Sequence, residues 1–244
     1  MPPVPEHDAV VDHPRSKRRR IEHSWAYEGG WRGISWNSQA LMSADPSRQK
    51  RKRAYLARLL RSRPDFILLQ ELHSTPGALA TWQPPAGYRL WVSHGTAASA
   101  GIGILVSETF LRQFEAATND NWLQIVPGRI GCLRLQGNSG CVDIWCVYLT
   151  TGDAKDVRDK QLKALYPHLR PAAHALTIIG GDWNFAATAE DRGRLDQMVI
   201  TSDTCTKGTK EQEQFLQNAE SRDLFELEQH AFFHASQRDW YFTQ

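Results

Sequence analysis

The stretch Thr177-Ile178-Ile179-Gly180-Gly181-Asp182-Trp183-Asn184 carries an apolar run to two glycines and then presents a carboxylate and a carboxamide two residues apart. In an extended chain residues i and i+2 point the same way, so Asp182 and Asn184 would share a face. A carboxylate can orient a water or hold a metal ion, and a neutral amide can donate hydrogen bonds to a phosphoryl oxygen without adding negative charge. That pairing suits phosphodiester hydrolysis. The same tripeptide also reads as a polar surface turn closing a strand, and only its company elsewhere in the chain separates the two.

Two further apolar runs end on polar side chains. Gly33-Ile34-Ser35-Trp36 is a short alternating strand that stops at Asn37, and Asp65-Phe66-Ile67-Leu68-Leu69-Gln70 is a nearly continuous apolar run that delivers Glu71. The second is what a central strand covered on both faces requires. Loops at the ends of buried strands are where catalytic groups collect. A purely structural Glu71 would need solvent or a partner, whereas beside Asn37 and the Asp182/Asn184 pair it is a candidate functional group. Carboxylate oxygen suits Mg²⁺, which takes one or two protein carboxylates and fills its other positions with water and phosphate oxygens. The nine His and four Cys fall at no zinc-ligand spacing.

These groups need a scaffold, and the pattern of elements outlines one. A helix is expected from about Ser47 to Arg61, with Tyr55, Leu56, Leu59 and Leu60 on one face and Pro64 closing it. Its other face carries Arg48, Lys50, Arg51, Lys52, Arg53, Arg58 and Arg61, which is either a nucleic-acid patch or a solvated surface. Strands are expected at Tyr88 to Val92 and Gly101 to Val106, and a hairpin joins Ile130 to Leu135 with Cys141 to Leu149 through Gly137-Asn138-Ser139-Gly140. Leu162, Leu165, Tyr166 and Leu169 mark an amphipathic helix that Pro167 should end or kink. Gln212 to Leu227 reads as helical and Trp240-Tyr241-Phe242 as a last strand. Successive strands without helices exclude a purely parallel doubly wound sheet. The expected fold is α/β in the α+β sense: two mixed β-sheets in a sandwich flanked by helices.

With 244 residues the chain suits one large domain. Charge is uneven, for Arg15 to Arg63 holds 14 Lys/Arg against 3 Asp/Glu, while Pro64 to Gln244 holds 15 against 21. Residues 1–28, with four prolines and the run Arg15-Ser16-Lys17-Arg18-Arg19-Arg20, are expected to be a disordered basic leader before a domain over 29–244. That run could be a nuclear localisation signal, an arm on nucleic acid, or a solvated tail. Cys132, Cys141, Cys146 and Cys205 form no C-x-x-C pair, which favours reduced thiols in a nuclear or cytoplasmic protein. No apolar run is long enough to span a bilayer, and no signal peptide is expected.

The motifs, taken together, resemble the endonuclease/exonuclease/phosphatase superfamily over about residues 31–244. Gly33-Ile34-Ser35-Trp36-Asn37 is similar to its first motif, Leu68-Leu69-Gln70-Glu71 to its second, Gly101-Ile102-Gly103-Ile104-Leu105-Val106 to a structural strand, Val147-Tyr148 to the segment with a phosphate-contacting Tyr, and Gly181-Asp182-Trp183-Asn184 to Gly-Asp-x-Asn. The resemblance implies a sandwich that hydrolyses phosphodiesters with Mg²⁺, Mn²⁺ being an alternative. By it, Glu71 is the metal ligand with Asn37 ordering the site, Asp182 activates water, and Asn184 and Tyr148 contact the phosphoryl group. Glu71-Leu72-His73, Asp191-Arg192, and Phe232 to Ser236 followed by Arg238-Asp239-Trp240-Tyr241 are similar to segments of non-LTR retrotransposon endonucleases. There Asp239 would orient a catalytic His, or stand as a turn residue at a strand start.

The resemblance implies DNA as partner; the basic leader and the helix face with Arg48, Lys50, Arg51, Lys52 and Arg53 could supply contacts to its phosphates, and no membrane is expected as a partner. The chain also departs from the pattern. Leu149-Thr150-Thr151 follows Tyr148 where the family has x-Pro-Asn, Gln39 stands where many relatives carry another metal-site residue, and no Ser-Asp-His follows the Asp239 strand before Gln244. A C-terminally incomplete domain, lacking its last edge strand and terminal His, is therefore expected, and impaired activity with it. Two rival readings follow from this: a non-catalytic nucleic-acid-binding remnant, and a phosphodiesterase of the same fold acting on RNA, phospholipid or inositol phosphate.

Overall fold

A computed structural model describes residues 25–152, 154–184, 209–222, 224 and 240–243. One sheet is built from β1 (Arg32–Asn37), β2 (Phe66–Gln70), β3 (Tyr88–Ser93), β4 (Ile102–Ser107) and β9 (Trp240–Thr243), in the order β3-β4-β2-β1-β9. The other holds β5 (Trp122–Val126), β6 (Ile130–Gly137), β7 (Gly140–Tyr148) and β8 (Leu176–Asp182), in that order. Each sheet is mixed, with one parallel pair: β1 with β2, and β7 with β8. The two sheets therefore match the expected sandwich, and β2, buried at all five positions, is a central strand.

Alternation along the strands sorts the side chains into three apolar layers. Phe66 and Leu68 of β2, Ile102, Ile104 and Val106 of β4, Leu133 and Leu135 of β6, Val142, Ile144 and Cys146 of β7, and Ile178 of β8 fill the space between the sheets. The opposite faces of β1 and β2, with Ile34, Trp36, Ile67 and Leu69, receive Leu56 and Leu59 of α1 (Pro46–Leu59). Behind the second sheet, Ile130, Cys132, Trp145 and Val147 pack on Leu162 and Leu165 of α4 (Lys155–Leu165).

The helix boundaries follow local chemistry. Asp45 caps α1 by accepting from the Ser47 and Arg48 amides, and Pro46 takes the first-turn position where its missing N–H costs nothing. A 3₁₀ turn continues α1 through Ser62, and Arg63 adopts left-handed φ 51 ahead of Pro64. Likewise α4 passes at Tyr166 into a 3₁₀ turn holding Pro167. Three short elements carried no periodic signal long enough to be read: α2 (Pro76–Thr81), α3 (Glu108–Leu111) and the edge strand β5. Among the described residues the last helix is α5 (Thr209–Glu220).

Folded structure begins ahead of residue 29. Ala26 bridges Cys141, the Tyr27 amide donates to the Cys141 carbonyl, and Tyr27 is buried against Phe110 and Phe114. The leader run Arg15 to Arg20, Asp191-Arg192, Cys205, and Phe232 to Asp239 lie outside the described residues. Among the described residues no helix is long and apolar enough to cross a membrane.

Candidate active site

Four strands running the same way bring their C-terminal ends to one pole of the sandwich: β1 beside β2 in one sheet, β7 beside β8 in the other. Alternation decides what they present. Ile178 points into the space between the sheets, so Gly180 and Asp182 share its face, and Tyr148 shares the inner face of β7 with Ile144 and Cys146. Gly33, Ser35 and Asn37 form the corresponding face of β1, opposite to that of Ile34 and Trp36. The two glycines before Asp182 are there for closeness: a Cβ on Gly180 would lie 2.7 Å from Leu68 Cδ1, and one on Gly181 would lie 1.8 Å from the Val147 carbonyl oxygen.

Asn37 joins the two sheets. Its Nδ2 donates to Glu71 Oε1 at 2.9 Å and to Asp182 Oδ2 at 2.8 Å, while its Oδ1 accepts from the Gln39 amide at 3.2 Å. With acceptors on one side and an N–H on the other, that orientation of the amide is the one the network can satisfy. Tyr148 OH adds a second donor to Glu71 Oε1 at 2.9 Å. Glu71 itself sits at φ 50, the left-handed region that non-glycine residues seldom adopt, just where β2 ends. Beneath the cluster, buried Gln70 reaches Ser35 Oγ and Cys146 Sγ, tying β1, β2 and β7 together.

Asp182 and Asn184 are not related as consecutive same-face strand residues. β8 ends at Asp182, and Asn184 turns at φ 53 so that its N–H donates to Asp182 Oδ1 at 3.1 Å, an Asx-type turn. Its Nδ2 donates to the Leu149 carbonyl at 2.6 Å. The turn reading and the functional reading of this tripeptide thus describe the same geometry, a turn folded into the cluster.

Arg129 was not singled out by sequence, and it sits in the cluster. Its guanidinium lies 4.4 Å over the Tyr148 ring and its Nη1 is 3.5 Å from the Leu149 carbonyl, which Asn184 also engages. The legible signal was only Pro127-Gly128 ahead of a strand, a turn that gives no hint of where its cation points. Burial, followed by the hydrogen bond and charge of Glu71, pushes the Tyr148 phenol up to about 12, against the opposing pull of Arg129. It is therefore a donor at ordinary pH.

The basic helix also faces this pole. Lys52 is half-buried, and its pKa is lowered by burial and by Arg48, with Glu71 opposing and Arg51 adding to the decrease. His73, at φ 52, is likewise lowered by burial, with Glu71 raising it and Arg48 lowering it. Lys52 is thus in electrostatic reach of Glu71 and of Arg48, four residues away on α1, and Arg48 is in reach of His73; Arg48, Lys50, Arg51 and Arg53 are all exposed. Asp239 lies outside the described residues.

Residues 34–218, most of the chain, match the Endonuclease/Exonuclease/phosphatase family. The chain belongs to that family. Within it, a stretch of 124 residues is 32% identical to the Transposon TX1 uncharacterized 149 kDa protein of Xenopus laevis, covering 51% of this chain and 9% of that protein's length. Among solved structures, an AP endonuclease of Leishmania major superposes with a TM-score of 0.58 at 15% identity, over 78% of this chain and 66% of that one. An AP endonuclease of Archaeoglobus fulgidus gives 0.52 at 14% identity, over 77% and 70%. At such identities the likeness is one of fold. This family member shares a two-sheet sandwich with those proteins.

Proposed function

We propose that this Endonuclease/Exonuclease/phosphatase family member hydrolyses phosphodiester bonds of DNA with Mg²⁺, Mn²⁺ being an alternative cation. The observation that supports this best is the single Asn37 amide holding Glu71 and Asp182 together from opposite sheets. Two carboxylates held to one amide nitrogen make a negatively charged site that a hard divalent cation would satisfy. Among the described residues no three His, Cys, Asp or Glu side chains gather at one point, so the donor set suits an ion that takes one or two carboxylates and completes its shell from water and phosphate. Glu71 would hold the ion, with Asn37 fixing the carboxylate. When bound, the ion supplies positive charge beside the phosphoryl group.

The protein's own groups do the rest. Asp182, anchored through Oδ2 to Asn37 and through Oδ1 to the Asn184 backbone N–H, would orient the attacking water and take its proton. Asn184 Nδ2 and Arg129 supply donors where charge develops on the phosphoryl oxygens, and Tyr148 OH, whose single proton goes to Glu71 in the free site, would turn to the phosphoryl group once Glu71 holds a cation. Arg48, Lys50, Arg51, Lys52 and Arg53 would engage flanking phosphates, Arg48 and Lys52 nearest the reacting one. Nicking of supercoiled plasmid tests the reading. Cleavage is expected with Mg²⁺, none with EDTA, and a loss of about a thousandfold or more in Asp182→Ala. Duplex binding without any nicking by the unaltered chain would refute catalysis.

A further inference from the structure

The loop after β7 carries no proline to stiffen it. Leu149-Thr150-Thr151-Gly152 ends on a glycine at φ 75, so its shape must come from outside. Two buried polar side chains of α4 supply it. Gln161, 7% exposed, clasps Thr150 at both ends: Oε1 accepts the Thr150 amide at 3.1 Å, and Nε2 donates to Thr150 Oγ1 at 3.0 Å. Arg158, 6% exposed and one turn earlier, donates through Nη1 to the Thr150 carbonyl at 3.0 Å and the Gly152 carbonyl at 2.7 Å. Polar groups buried this deeply are costly unless paired, so the clasp holds the loop and the helix in one arrangement. Leu162 and Leu165 fix that helix to the back of the second sheet.

On its other side the loop meets the site. The Leu149 amide donates to the Asp182 carbonyl at 2.9 Å, and the Leu149 carbonyl receives both Asn184 Nδ2 at 2.6 Å and Arg129 Nη1 at 3.5 Å. We propose that Gln161 and Arg158 are positioning residues, setting the Leu149 carbonyl and through it the Asn184 amide and the Arg129 guanidinium against the phosphoryl group. This rests on the phosphodiesterase reading of the site. Neither side chain touches the reacting atoms. Their effect is on alignment, where a displacement of about 1 Å is enough to cost about a hundredfold in rate.

The experiment compares Gln161→Leu, Gln161→Glu and Thr150→Val in the unaltered and the Asn184→Ala backgrounds, by plasmid nicking and by backbone hydrogen exchange. Gln161→Leu is expected to lower kcat about 10- to 100-fold with KM for DNA changed less than about twofold. Gln161→Glu, which still accepts the Thr150 amide, should recover part of the loss, and Thr150→Val should lose less than Gln161→Leu. In the Asn184→Ala background Gln161→Leu should lose clearly less than in the unaltered chain, because the part of its effect that passes through Asn184 is already gone and only the part through Arg129 remains. Equal fold-losses in both backgrounds, or an undiminished kcat in Gln161→Leu, overturn the proposal. Exchange decides independently of catalysis: Gln161→Leu should speed exchange at 149–152 and also at 183–184, and a change confined to 149–152 overturns the coupling. If the unaltered chain does not nick DNA, the functional reading fails while the exchange arm still decides this one.

Discussion

Asn37 is the residue on which the site turns, because one amide nitrogen serves two carboxylates that come from strands in different sheets. Tyr148 completes the set with a phenol that burial and Glu71 keep protonated. The sign of its pH effect is determinate. Folded, the phenol holds its proton up to about 12, whereas the unfolded chain loses it near 10.0, so the folded state binds more protons between those values. Its contribution to stability is intact below pH 10.0 and is lost as pH rises through about 12. Tyr148→Phe should lower kcat about a hundredfold while costing about 1 kcal/mol of stability. The difference in tyrosinate absorbance between the unaltered protein and Tyr148→Phe should rise only toward pH 12; a transition at the ordinary phenol value would contradict the arrangement. Asn37, Glu71, Tyr148 and Asp182 were legible because each ends or extends a hydrophobic strand. Arg129 was not, since a cation after a turn has no period to betray its direction, and Gln161 and Arg158 were hidden inside an amphipathic helix whose apolar stripe drew the reading.

Among the elements, the parallel pair β7 and β8 places Tyr148 and Asp182 of the candidate site, and Gly181 is the residue that lets the two strands close. Its φ of 149 is less important than its missing Cβ, which would fall 1.8 Å from the Val147 carbonyl oxygen, an atom of backbone that cannot swing away. Gly181→Ala must push β8 off β7 just below Tyr148 and Asp182, which are register partners. It should cost about 1–3 kcal/mol in chemical denaturation and lower kcat about tenfold or more even where the protein remains folded. Full activity with unchanged stability would show that the strands separate without cost. The long elements were readable for the same reason that they matter, being runs of five or more residues with a steady period, as in Phe66–Gln70 or Leu176–Asp182. The four-residue α3 and the six-residue α2 are too short for a helical period to show, although Thr75 capping Ala78 and Pro76 in the first turn were signals of the second. In β5, Trp122 and Val126 flank an exposed Gln124 beside a register shift, so neither alternation nor a continuous apolar run appears. The turn at Asn184 was legible as one of the two readings of Asp182-Trp183-Asn184, whose Asp and Asn favour such turns; what no local signal showed is that the turn folds into the candidate site.

At the scale of the whole molecule, charge is arranged with respect to the site and not merely concentrated. The first quarter of the chain holds most of the excess cations, and the fold lays the helix that carries many of them along the first sheet, with Lys52 in electrostatic reach of Glu71 and Arg48 of His73. A net charge of +2 alone would give little attraction for a polyanion. Under the proposed reading, a strand crossing the pole meets those two cations before it meets the carboxylates, whose own field would otherwise repel it. Each phosphate neutralised releases condensed counterions, so the affinity for duplex DNA should fall with salt at a slope of about 0.9 per contact. Replacing Arg48 and Lys52 together by Ala should flatten that slope by about two between about 50 and 200 mM salt, measured by fluorescence anisotropy on one duplex. Lys50 and Arg53 are exposed on the same helix, and if only the cations in reach of the site meet the DNA, the matched double replacement there should change the slope by less than one. Equal effects from both pairs would mean that the helix acts as a diffuse positive surface. An unchanged slope after Arg48 and Lys52 are removed would take the helix out of the path of the DNA altogether, and leave Arg129 as the cation beside the reacting phosphate.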